Sequence, residues 1–261
     1  MDTFRAVLDA LSARGLRPQE EFDRSARFVA GLGARRQEVV LVASACEAPR
    51  DVDSMAWSAS FSRGFLAQWR HRDPRDPAKR SFVDAAGSLV ATLEGGGFRA
   101  GVLAAGGPEP WLWPLTAGVD IAFYQEVEDG LCLLSGDRVR SWGVSEERVY
   151  KAALSVLFYK TSYAAPERVA MDADYETYRV GDGFDAARAL LLEMLDYGRA
   201  RAGLLFAVPD AEELLFVPDL GGDHAEAFGR FVEQRFAAAK EPLSDGVFRV
   251  LCGAMCPERV R

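Results

Sequence analysis

The chain reads as an α+β protein of two sheet-containing halves, with mostly antiparallel strands and helices packed on one face of them. Three observations predict this. Apolar residues recur with a helical period in segments that are separate from short β-rich runs. Several of those runs are joined by connections of a few residues, which only antiparallel neighbours allow. Residues 175–249 read as one regular unit of strand, helix, two strands, a longer helix and a final strand. A chain of 261 residues with 49% apolar and 27% charged side chains is long enough to bury a sizeable core.

The first element is a helix over residues 3–13, because Phe4, Val7, Leu8 and Leu11 fall at i, i+3, i+4 and i+7, with Gly15 as its stop. Two β-rich runs, residues 25–32 and 37–45, flank Gly33-Ala34-Arg35-Arg36, a length suited to a hairpin. From 53 to 70 the rings of Trp57, Phe61, Phe65 and Trp69 recur every four residues and share a helical stripe. Asp73-Pro74-Arg75-Asp76-Pro77 breaks that helix, since each proline lacks an N–H and disfavours helical geometry before it. A second helix is expected over 82–93, then a strand over 100–105 between Gly95-Gly96-Gly97 and Gly106-Gly107-Pro108-Glu109-Pro110. That glycine and proline density sets the expected boundary between an N-terminal half, 1–107, and a C-terminal half, 108–261.

Beyond the seam, 119–127 and 131–134 read as strands around Glu128-Asp129-Gly130, where Asp-Gly is a hairpin signal. Ser145 with Glu146 and Glu147 opens a helix, the hydroxyl accepting an orphan N–H and the carboxylates facing the positive end of the dipole. Val149, Ala153, Val156 and Leu157 supply its buried face. Residues 168–171 and 175–180 read as strands, and Asp182 or Gly183 opens a helix presenting Phe184, Ala187, Leu191 and Met194, with Gly198 beyond its end. Residues 204–209 and 213–217 form an antiparallel pair across Asp210-Ala211-Glu212. A helix carrying Phe228, Phe231, Val232 and Phe236 follows, then a strand over 247–252.

Composition excludes several classes. A formal charge of −8 argues against general nucleic-acid binding, which needs lysine and arginine in excess on the docking face. It fits instead ordinary solubility and a protein partner with a basic surface. No run approaches the roughly 18 apolar residues of a spanning helix, and Met1-Asp2-Thr3-Phe4-Arg5 opens no signal peptide. A cytoplasmic location is expected. Cys46, Cys132, Cys252 and Cys256 read as reduced core thiols, and with two histidines in the chain no structural zinc set is complete.

Two segments carry candidate sites. Trp69, Arg70, His71, Arg72 and Arg75 lie in a locally basic stretch whose guanidinium forks and ring could hold a phosphate or an acidic peptide. The other reading of that stretch is a solvated loop. Asp219, Asp223, His224 and Glu226 place oxygen and imidazole ligands within one short run, as a divalent ion requires. Asp223 equally reads as a helix N-cap with Glu226 completing a capping box. Asp172, Asp174, Asp182 and Asp185 lack the spacing of an EF-hand and read as turn and cap residues. There is no phosphate-binding glycine loop, no dinucleotide fingerprint and no G-x-S-x-G elbow, so no cofactor is expected.

Several local phrases resemble a widespread bacterial family typified by the protein YtpQ. They are Trp142-Gly143-Val144-Ser145-Glu146-Glu147, Phe184-Asp185-Ala186-Ala187-Arg188-Ala189-Leu190-Leu191-Leu192, Leu205-Phe206-Ala207-Val208-Pro209-Asp210 to Leu215, and Pro242-Leu243-Ser244 to Phe248. The resemblance covers about residues 110–249, and Val208-Pro209-Asp210-Ala211-Glu212 departs from the family's Val-Pro-x-Arg-Asp by lacking the arginine. It implies a fold and a cytoplasmic location, and no activity. An acidic composition, a full set of scaffold signals and no assembled chemistry make the expected function that of a non-enzymatic protein that binds another protein, as an inhibitor, immunity factor or chaperone does. The alternative is a hydrolase or metal-dependent enzyme centred on His224.

Overall fold

The structure, a computed structural model, describes residues 3–32, 35–49, 53–70, 80–116, 118–127, 130–170, 174–250 and 258–259. It is an α+β fold with three sheets whose strand pairings are mostly antiparallel. The chain forms two compact units, one of Met1–Asp76 with Gly95–Pro110, the other of Pro77–Glu94 with Trp111–Arg261. A single division at residue 107 does not describe this arrangement, because residues 77–94 belong with the second unit. Among the described residues no helix is long and apolar enough to cross a membrane.

The first unit begins with α1 (Thr3–Ala13), which buries Phe4, Val7, Leu8 and Leu11 as their spacing predicts. β1 (Glu20–Phe22), β2 (Ser25–Leu32) and β3 (Arg35–Val42) follow as an antiparallel sheet in that order. Leu32 pairs with Arg35, so Arg35 and Arg36 belong to β3 and the hairpin connection is shorter than expected. α2 (Ser54–Arg70) starts where the Asp53 carboxylate accepts from the N–H groups of Met55 and Ala56, both at 2.9 Å. Its Phe61 and Phe65 join Phe28, Leu41 and the α1 side chains in one core.

The chain then gives the second unit α3 (Phe82–Ala85), a 3₁₀ turn (Ala86–Ser88) and β4 (Leu89–Gly95), and returns to the first as α4 (Phe98–Ala104). Both readings of this stretch are corrected. The helix expected over 82–93 is a single turn before a strand, and the strand expected over 100–105 is a helix. Short apolar runs do not declare their period, and here packing decides. A Cβ on Gly101 would stand 1.9 Å from the Phe61 carbonyl oxygen, one on Gly64 2.0 Å from that of Phe98, and one on Gly97 2.4 Å from that of Trp57. Glycine at these positions lets α2 and α4 meet backbone against backbone.

In the second unit β5 (Leu112–Thr116), β6 (Val119–Val127) and β7 (Gly130–Leu133) complete a four-stranded sheet in which β6 lies beside β4, β5 and β7. α5 (Gly136–Ser141) and α6 (Glu146–Thr161) follow. β8 (Glu167–Ala170), β9 (Asp174–Tyr178), β10 (Leu204–Asp210), β11 (Glu213–Pro218), β12 (Phe248–Arg249) and β13 (Glu258–Arg259) form the larger sheet, ordered β13-β12-β10-β11-β9-β8. Between β9 and β10, the helix expected from Asp182 is a 3₁₀ segment (Ala186–Leu191) followed by α7 (Leu192–Leu195) and α8 (Tyr197–Ala202). Gly198 is inside α8, and Met194 is exposed rather than on a buried face. The Asp196 carboxylate caps α8 by accepting from the Arg199 N–H at 3.0 Å, which separates the two helices.

α9 (Gly222–Ala237) covers one face of the larger sheet, where Phe228 and Val232 meet Leu205, Ala207, Leu215 and Val217. The opposite face turns Leu204, Phe206, Leu214 and Phe216 into a core shared with Leu89, Ile121 and Phe123 of the smaller sheet and with Val149 and Ala153 of α6. This alternation is the pleat of the strands read directly from the sequence. Each large apolar side chain buried there contributes roughly 1.5–3 kcal/mol.

Candidate functional site

The basic stretch singled out in the sequence falls largely outside the described residues. Trp69 and Arg70 close α2, but their side chains, and all of His71, Arg72 and Arg75, are not among those described. Of the cysteines, Cys46 is buried and Cys132 half-buried as free thiols, and Cys252 and Cys256 lie outside the described residues.

The four candidate metal ligands do not converge. Asp219 accepts from Arg249 Nε at 2.8 Å and from the Gly221 N–H at 3.1 Å. Asp223 is not the N-cap expected of it. Gly221 holds that position, and its φ of 74° with Gly222 at 46° makes a left-handed entry that suits glycine. Asp223 instead sits in the first turn of α9, and Glu226 pairs with Arg230 at 3.7 Å along the helix. His224 is half-buried, its Nδ1 without a hydrogen-bond partner. Among the described residues no three His, Cys, Asp or Glu side chains come together as a metal ion needs.

Several carboxylates of the second unit are held by arginines, whereas the buried Glu94 accepts from the Tyr124 hydroxyl at 3.3 Å. Arg188, wholly buried, donates to Asp185 Oδ1 at 2.9 Å and to both oxygens of Asp182 at 2.9 and 2.7 Å. Asp185 also accepts from the Val180 and Gly181 N–H groups at 2.8 and 2.7 Å, so it ties the end of β9 to the 3₁₀ segment. That commitment leaves it unable to cap the segment it precedes. Burial pushes Asp182 up, but hydrogen bonds from Arg188 and the Phe184 N–H, with the charges of Arg188 and Lys160, win and hold it below the usual range. Arg199 grips Asp196 and both oxygens of Glu176, and Arg235 grips both oxygens of Glu213 at 3.0 and 2.7 Å. Each of these acids serves the fold.

The exposed side of α6 offers a different chemistry. The Ser145 hydroxyl accepts from the Arg148 N–H at 3.3 Å, and Glu146 and Glu147 lie in the first turn, so the helix starts as the sequence predicts. Val149, Ala153, Leu157 and Thr161 recur every four residues along the buried side. Off that stripe, Phe158 is 44% exposed, Tyr159 64% and Tyr163 78%. The two tyrosine rings meet edge to face at 5.3 Å, and the Tyr163 hydroxyl donates to that of Tyr159 at 3.2 Å. That bond holds the Tyr163 phenol above its ordinary value. Lys160, next in the chain to Tyr159, is paired with Glu126 at 2.8 Å and lies 5.0 Å from the Phe184 ring centre. These aromatics were not among the sequence candidates, although the α6 period places Phe158 and Tyr159 off its buried stripe.

The fold and this surface describe an α+β protein of two units, with arginine-held acids in the second and three exposed aromatic rings at and just beyond the end of α6. No family model, curated protein or solved structure matches the chain.

Proposed function

We propose that this is a non-enzymatic cytoplasmic protein that binds another protein through the exposed face of α6. The observation that carries the reading is the set of exposed rings formed by Phe158 and Tyr159 near the end of α6 and Tyr163 just beyond it, beside a helix that buries Val149, Ala153, Leu157 and Thr161. Tyrosine supplies large contact area at low conformational cost, and it is enriched where one protein grips another. The excess of carboxylates over lysine and arginine lies in the second unit, the unit that carries α6. That supports a partner with a basic surface. Residues 110–249 are further proposed to belong with the YtpQ-like family, a reading supported by phrases that fall at the start of α6, in the 3₁₀ segment and along β10 and β11. The assigned role is that of an inhibitor, immunity factor or chaperone.

The intact tagged protein and its Tyr159→Ser/Tyr163→Ser variant are used side by side to capture partners from lysate of the source organism. A single stoichiometric protein held by the native chain and lost by the variant, at unchanged melting temperature, is the expected result. Equal capture by both removes α6 as the contact. Recovery of a small molecule or a metal with no protein overturns the binding reading itself.

A further inference from the structure

The outward side of α6 carries a row of residues that is complementary to itself. Glu147, Lys151, Ser155 and Tyr159 recur every four residues along it, all exposed, and Tyr163 extends the row through its hydroxyl bond to Tyr159. One end is charged, with Glu147 paired to Lys151 at 2.7 Å, and the other end is aromatic. Ser155 stands at the midpoint. Its hydroxyl already donates to the Lys151 main-chain oxygen at 2.8 Å, so covering it strands no polar group. Beside Ser155 lie the half-buried Ala152 on one side and Phe158, 44% exposed, on the other.

Residues four apart make the ridge by which helices most often interlock, at a crossing of about 50°. A second α6 laid antiparallel across the first, on a two-fold axis at Ser155, brings together residues equally far from that position in sequence. Lys151 then meets the Tyr159 ring, whose face a cation favours. Glu147 meets Tyr163, at the end of a hydroxyl pair with one proton still to donate. Phe158, a large side chain, meets the small Ala152. The other charges of the helix, Glu146, Arg148 and Lys160, fall in register with Ala164, Ser162 and Tyr150, so no like charges are opposed. A parallel pairing would instead set every charge against its own copy.

Taking the outward side of α6 as the contact surface proposed above, we infer that it pairs in this way with α6 of a second copy of the chain. Self-association then closes the face until a different partner displaces it. One helix pair falls below the ~1,200 Å² at which standard interfaces begin, and two acidic units repel, so the dimer is weak and reversible.

Sedimentation velocity of the purified intact protein, from about 1 to 200 μM, reads the monomer–dimer equilibrium. The expected result is a concentration-dependent dimer, weakened about tenfold or more by Ser155→Glu and by Ser155→Lys alike, since each sets like charges face to face on the axis. An equimolar mixture of the two variants dimerises at least as tightly as the native chain, because a carboxylate then faces an ammonium. Ser155 is exposed, and melting temperatures confirm that both variants keep the fold. A monomer throughout, a dimer indifferent to either substitution, or a mixture no tighter than the separate variants overturns the pairing. None of these outcomes touches the reading of α6 as the grip on a different protein, which stands or falls on capture by the native chain and its loss in Tyr159→Ser/Tyr163→Ser.

Discussion

Gly101→Ala sets two physical effects against each other and tests the packing of the first unit. Alanine is preferred over glycine inside a helix by ~1 kcal/mol, so propensity alone predicts a more stable α4. The seam predicts the reverse. The new Cβ would stand 1.9 Å from the Phe61 carbonyl oxygen and 2.8 Å from the Phe65 nitrogen, both backbone atoms of α2, whereas ordinary contact begins at 3.4 Å. No rotamer change relieves a clash with main chain, so α4 must move away from α2. Overpacking costs about 1–3 kcal/mol, and the displacement also loosens Phe61 and Phe65, neither of which has any exposed surface. A main-chain clash this close belongs at the upper end of that range, so about 3 kcal/mol less the gain of ~1 kcal/mol leaves a net loss of ~2 kcal/mol. Urea unfolding followed by far-ultraviolet circular dichroism should show a midpoint lower by about 1 M, taking a slope of ~2 kcal/mol per molar. Adding Gly64→Ala should cost less than its own single effect, because the first substitution has already opened the seam. Gly87→Ala is the control, since nothing lies within 4 Å of the built Cβ. A Gly101→Ala protein as stable as the native chain would refute the backbone-to-backbone contact.

Two further predictions concern the buried ion pairs. Arg188→Met strands Asp185, which is wholly buried, and should cost about 3–5 kcal/mol in urea unfolding. Adding Asp185→Asn should restore part of that loss, and no recovery would mean that packing rather than charge governs the site. The carboxyls of Asp182 and Asp196 are held below their ordinary range, Asp196 because hydrogen bonds and charge from Arg199 outweigh its burial. Their stabilisation is therefore fully present above the unfolded value of ~3.9 and lost as pH falls through the lower folded values. Melting temperature should hold steady from pH 7 to about 5 and fall below about 4, with a shallower fall in Asp182→Asn. An acid limb identical in that variant would assign the loss to other groups.

Elements whose own residues decide their structure were legible in the sequence. α1 follows from the spacing of Phe4, Val7, Leu8 and Leu11, and α6 from the cap at Ser145. β10 and β11 follow from apolar runs on either side of a short polar turn. β4 and α4 were misread because each is a short, mostly apolar segment of seven residues whose conformation is chosen by what it meets. For α4 the deciding atoms are carbonyls of α2, some forty residues away in sequence. Asp182 and Asp185 were legible as turn residues, but not as joint partners of Arg188, since a buried arginine looks like any other in a linear sequence. Tyr159 and Tyr163 could have been found by asking which large side chains fall off a helix's buried stripe.

The excursion of residues 77–94 into the second unit constrains how the protein can be made. A ribosome delivers α1, the first sheet and α2 before it delivers α4, and between them it delivers β4, whose place beside β6 needs a strand not yet synthesised. The nascent first unit must therefore wait, with the glycine face of α2 bare, until chain beyond residue 104 emerges. A fragment ending at Asp76 would lack the helix that closes its core. Completion of the N-terminal fold is thus tied to synthesis well into the chain, so the two units cannot be separated by a single cut in the gene.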